Sequence, residues 1–100
     1  MEIEFADRQG LERAVTDPRF DAGLGPTLIK AFRDKVEFLK SCNSEQDIRA
    51  MKSLHFEKLK GARSHQRSIR LKHDGKRLIF QIIDRNGDKV IRIDEVGDYH

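Results

Sequence analysis

Residues 68–83 read SIRLKHDGKRLIFQII, and the period of this stretch decides the fold. Ser68, Arg70 and Lys72 alternate with Ile69, Leu71 and His73, the two-residue period of a half-buried strand. Asp74-Gly75 is a pair that suits a tight hairpin turn, because both central residues of such a turn need positive φ. The returning stretch, Arg77 to Ile83, is apolar almost throughout, as a central strand covered on both faces would be. Asn86-Gly87 marks a second hairpin, and Lys89 to Val96 comes back as a further strand carrying Val90, Ile91 and Ile93. The period of two begins near His55, so the C-terminal half is expected to be an antiparallel meander.

The N-terminal half has the helical period. Ile3 and Phe5 alternating with Glu2 and Glu4 predict a short, half-buried opening strand. Asp7 is placed to cap a first helix bearing Leu11, Ala14 and Val15, and Asp17-Pro18 ends it. After a glycine-containing loop, Pro26 sits at a first-turn position, and Leu28, Ile29, Phe32, Val36 and Leu39 form one stripe of a second helix. Ser44 with Asp47 resembles a capping box that opens a short helix to about Lys52. The fold class expected is α+β, with N-terminal helices packed on one face of the antiparallel sheet. The opposite face would be left to carry Arg67 or its neighbours and the final three residues.

A chain of 100 residues predicts one domain, 1–100, with a thin core. No apolar run approaches the roughly 20 residues of a membrane span. The acidic start, Met1-Glu2-Ile3-Glu4, is unlike a secretory leader, and a lone Cys42 suits a reducing cytoplasm. The net charge of +3 hides a strong polarity. Residues 51–77 hold 9 basic and 2 acidic side chains, whereas residues 1–50 hold 8 and 10, and residues 78–100 hold 3 and 5. A basic excess on one hairpin is the footprint expected of a nucleic-acid binder, set against the plainer possibility of a solvated strand face. Spacings suited to metal ligands are missing: there is no His-x₃-His, no paired cysteines and no Asp-rich loop.

Four short motifs occur in order: Leu59-Lys60-Gly61, Ser68-Ile69-Arg70, Lys76-Arg77-Leu78-Ile79-Phe80 and Asp98-Tyr99-His100. Together they resemble the HigB branch of the RelE/ParE toxins, the plasmid-maintenance killer proteins. The resemblance is strong over the C-terminal half and rests on the helix arrangement elsewhere. It implies the toxin of a type II toxin-antitoxin pair, an endoribonuclease that cuts messenger RNA in the ribosomal A site. It also implies a compact RelE-like fold, no cofactor, a small helix-turn-helix antitoxin (HigA-like) as partner, and a monomeric toxin assembling through the antitoxin dimer. Carried over residue by residue, the functional set is His100, Asp98 and Tyr99 at the end, Arg77 on the central strand, Lys60 of the Leu-Lys-Gly motif, and His55 upstream of it. His55 and Lys60 are five positions apart, wider than the family pattern, so Lys58 is the alternative lysine. Arg67 and Lys76 stand where the family usually has aromatics, which removes two surfaces for base stacking.

The residue types fit such chemistry. RNA is cut without metal when its 2′-oxygen attacks the adjacent phosphorus, given a base at the nucleophile, an acid at the leaving oxygen and cations around the phosphorane. Histidine, with an ordinary pKa of about 6.5, serves either proton role near neutral pH, and His55 and His100 are the candidates. Arg77 with Lys60 or Lys58 would stabilise developing charge, Asp98 would orient His100, and Tyr99 would stack or donate a hydrogen bond. Lys58, Arg63, Arg67, Arg70, Lys72 and Lys76 are the expected RNA-binding cations. Two other functions remain open at this point: a non-catalytic inhibitor of DNA gyrase in the manner of the ParE branch, and an RNA-binding module without turnover.

Overall fold

The computed structural model of the protein describes residues 1–6, 9–72 and 75–98. Asp7, His73, Asp74, Tyr99 and His100 therefore lie outside the described residues, and with them the expected helix cap, half of the first hairpin turn and two of the expected site residues. A five-stranded sheet, in the order β1-β5-β4-β3-β2, is formed by β1 (Glu2–Phe5), β2 (Glu57–Lys58), β3 (Arg67–Arg70), β4 (Lys76–Arg85) and β5 (Asp88–Asp98). Strands β2 to β5 are the expected antiparallel meander. The opening strand departs from it by pairing parallel to β5, Ile3 beside Ile91 and Phe5 beside Ile93. Parallel pairing requires a crossover connection, and the helices between β1 and β2 supply it.

Both central residues of the β4–β5 hairpin turn, Asn86 and Gly87, have positive φ (54° and 92°), the geometry that Asn-Gly adopts at least cost. Helix α2 (Pro26–Ser41) starts at Pro26 and buries Ile29, Phe32, Val36 and Leu39; Leu28, expected on the same stripe, is only half-buried at its edge. Helix α1 (Leu11–Thr16) begins after a left-handed Gly10 and ends at Asp17. Arg33 of α2 bonds it in place, donating to the carbonyls of Ala14 (2.8 Å), Asp17 (3.2 Å) and Phe20 (3.0 Å). Ser44 caps α3 (Glu45–Ala50), which is shorter than expected: a 3₁₀ turn, Lys52–Leu54, replaces its last residues.

These helices cover one sheet face through Ile69, Leu78, Phe80, Ile91, Ile93 and Val96. Burying one apolar side chain of this kind stabilises by roughly 1.5–3 kcal/mol. Leu59, Ile79 and Val90 are also buried yet stand outside that cluster. The central strand is accordingly covered on both sides along Arg77–Phe80, while its far end, from Gln81 onward, is half-buried and then exposed. Among the described residues no helix is long and apolar enough to cross a membrane.

Candidate RNA-binding and cleavage face

Side chains alternate along a strand, so the register fixes what faces away from the helices. Opposite Leu78 and Ile69 stand Ser68, Arg70, Arg77 and Ile79, with Arg70 directly across from Arg77 and Gly97 across from Arg77 on the other side. Two guanidinium side chains directly opposite each other repel unless something holds one of them. Arg77 is the one held. It is 7% exposed; its Nε donates to Ser68 Oγ at 2.8 Å, and its terminal nitrogen donates to the Ser68 carbonyl (3.4 Å) and to the His55 carbonyl. Burial pulls its pKa below the ordinary value, Glu57 works against that, and Arg70 adds to it. An arginine so placed stays charged. Arg70 keeps partial exposure and has no carboxylate partner among the described residues.

His55 lies at the other end of Arg77. Its backbone is left-handed (φ 48°, ψ 54°), a conformation that costs a non-glycine residue roughly 1–2 kcal/mol. Two bonds fix it there: its N–H donates to the Lys52 carbonyl at 3.1 Å, and its own carbonyl accepts from Arg77. The imidazole is exposed beside this turn. Arg77 thereby links the central strand to the segment that carries His55 and Lys58.

The loop bearing Lys60 is tied down by an irregularity in β5. Ile79 pairs with Glu95 but Phe80 with Ile93, so Asp94 is an extra, bulged residue. The bulge lets two adjacent carboxylates serve one side of the sheet. Buried Asp94 accepts from Gln66 Nε2 (2.8 Å) and Gln81 Nε2 (2.9 Å), and Glu95 accepts from Arg63 (2.6 Å), which also donates to Gln66 Oε1 (2.6 Å). Lys60 itself is exposed at the start of the 3₁₀ turn Gly61–Arg63.

The expected residues thus divide. Arg70, Arg77 and the turn of His55 come together, and Lys58 and Lys60 are exposed on the neighbouring segment. Asp98 is the last described residue of β5, bonded to Lys76 at 2.9 Å in the row next to Arg77. Arg63 is bonded into the loop. Arg67 does not share the face of Arg70: it reaches α3 on the helix side, where its Nε donates to Glu45 Oε1 at 3.0 Å. The alternation of β3 dictates this, since Arg67 and Ile69 point one way and Ser68 and Arg70 the other. Burial opposes ionisation of Glu45, but the bonds from Arg67 and Arg49 outweigh it and its pKa falls.

One cation escaped the sequence reading. Lys35 of α2 lines, with Ser53, Leu54, Arg70, Leu71 and Lys72, a depression of about 320 Å³. Lys35 carries no sequence signal that separates it from Lys30 or Lys40.

The chain matches no protein-family model, and no curated protein matches it. Solved structures do resemble it. The YoeB/ParE toxin from Agrobacterium tumefaciens superposes with a TM-score of 0.60 at 13% identity over 100% of both chains. YafQ from E. coli strain BL21(DE3) superposes with a TM-score of 0.63 at 13% identity, covering 97% of this chain and 91% of its own. Helices on one side, the mostly antiparallel sheet and the near-complete coverage agree, and the chain has the compact α+β fold of the YoeB/ParE and YafQ toxins.

Proposed function

We propose that this protein is the toxin of a type II toxin-antitoxin pair, of the HigB branch, and an endoribonuclease that cleaves messenger RNA in the ribosomal A site. The observation that carries this reading is the sheet face turned away from the helices, where a partly exposed Arg70 stands beside a buried Arg77 that is bonded to a histidine turn with left-handed backbone. The toxin fold and the four motifs support it. Arg70, with Lys58 or Lys60, binds the scissile phosphate and stabilises its extra charge. Arg77 is too buried to meet RNA broadly; it positions His55 and adds positive potential beneath the phosphate. His55 and His100 share the proton transfers. Asp98 stands in the row next to Arg77. The attacking group is the RNA's own 2′-hydroxyl, and no metal is required. A helix-turn-helix antitoxin neutralises the toxin, and the toxin is a monomer until the antitoxin dimer assembles it.

Deleting His100 tests the assignment. Removing one polar residue should change stability by less than about 1 kcal/mol, the usual range for surface changes. Loss of a proton-transfer group lowers a rate by roughly 10²- to 10⁴-fold. Primer extension on messages from cells producing the two forms should show cuts with wild type and none with the truncated chain, while antitoxin still co-purifies with both. Undiminished cutting would remove His100 from the mechanism. Growth arrest with intact messages and inhibited gyrase supercoiling would favour the ParE-like reading instead.

A further inference from the structure

The depression between α2 and the end of β3 is lined by several cations. Among the described residues that line it, Lys35, Arg70 and Lys72 are basic and none is acidic. Many other surface cations are matched, Arg13 with Asp17, Lys30 with Asp34, Lys40 with Glu37, Arg49 with Glu45, Arg85 with Glu4 and Lys89 with Asp84, while Lys58 and Lys60 stand on the neighbouring segment without a carboxylate partner among the described residues. Lys35, Arg70 and Lys72 have no such partner among the described residues. Leaving three cations together unpaired costs repulsion, which a bound anion would relieve. Ser53 adds a hydroxyl, and the buried Leu54 and Leu71 supply a small apolar wall.

The volume narrows the anion. About 320 Å³ lies at the small end of ligand-binding cavities, enough for a single nucleotide-sized group. Arg70 belongs to both the depression and the row with Arg77, so the two sites are contiguous. A ligand that enters both is a continuous polyanion with one charge per unit.

We propose that this depression is a second phosphate subsite, in which Lys35, Arg70 and Lys72 hold a backbone phosphodiester of the single-stranded RNA flanking the one cleaved beside Arg70 on the sheet face turned away from the helices. The inference rests on the ribonuclease reading above. It assigns Lys35, on a helix otherwise devoted to the core, to substrate binding. It also makes α2 the wall that sets where the strand leaves the sheet.

The test is a salt titration of binding to an oligoribonucleotide whose 2′-hydroxyls are methylated, which binds but cannot be cut. Each phosphate neutralised on a single strand contributes about 0.7 to the log-log slope. Lys35→Ala, which suits a helix interior, should lower the slope by about 0.7 and weaken binding roughly tenfold at low salt. Backbone amide signals of Ser53, Arg70 and Lys72 should shift on adding the oligonucleotide to wild type. Lys30→Ala, on the same helix but paired with Asp34, is the charge control and should change neither slope nor affinity by more than about twofold. Equal effects of the two substitutions, or none from Lys35→Ala, would overturn the subsite while leaving the cleavage reading intact. Failure of wild type to bind the oligonucleotide at all would overturn the subsite, whereas the cleavage reading stands or falls on programmed ribosomes.

Discussion

Arg77 donates to Ser68 Oγ, to the Ser68 carbonyl and to the His55 carbonyl while only 7% exposed, so the same side chain is a structural link and a source of positive potential. Truncation strands buried acceptors, each costing about 1–3 kcal/mol. Arg77→Lys should therefore lose roughly 1–3 kcal/mol of stability, because one ammonium cannot reproduce a fork of three bonds, and toxicity should fall with it. Arg70→Ala should behave differently, with an unchanged denaturation midpoint and loss of most toxicity. Urea unfolding and growth arrest on induction separate the two, and a destabilised Arg70→Ala with full toxicity would reverse their assigned roles. His55 adds a third case. His55→Gly relieves the left-handed strain and should stabilise slightly while removing the imidazole, so a variant that is both more stable and less toxic is expected.

At the scale of elements, α3 is docked to the sheet by Glu45, which accepts from both Arg67 of β3 and Arg49 of its own helix. Its folded pKa lies below the ordinary value of 4.5, so the ion pairs stabilise the fold fully above that value, and the contribution disappears as pH falls through the lowered one. Glu45→Gln should accordingly be less stable than wild type at pH 6, and the gap should shrink as pH falls below 4.5. Thermal unfolding across that range checks this, and a gap that does not change with pH would mean the carboxylate is not the source. Much of the element pattern was readable. Asn86-Gly87 announces its turn because few other pairs accept two positive φ angles, and the α2 stripe announces its buried face. The parallel pairing of β1 was not readable, since alternation shows which face is buried but not which neighbour lies alongside. The same holds for Arg67: it belongs to the basic run, yet strand alternation turns it to the helix side, where Glu45 waits 22 residues earlier in the chain.

For the molecule as a whole, paired and unpaired charges are distributed unevenly over the surface. The sequence showed the excess at residues 51–77, but not that Arg63 and Arg67 are spent on Glu95 and Glu45, nor that Lys35 joins Arg70 and Lys72 from another element. The β5 bulge was equally hidden, because Asp94-Glu95 reads as two ordinary strand residues until the register shift puts both carboxylates to use on the loop that bears Lys60. The central claim is that this basic face cuts RNA through the RNA's own 2′-oxygen. It is tested most directly by giving the purified protein ribosomes programmed with a message in which the nucleotide 5′ to the cleaved bond carries either its 2′-hydroxyl or a hydrogen. Cleavage of the first message to a product with a 5′-hydroxyl end, and no cleavage of the second, is the predicted result; equal cleavage of both, or a product with a 5′-phosphate, would contradict the account.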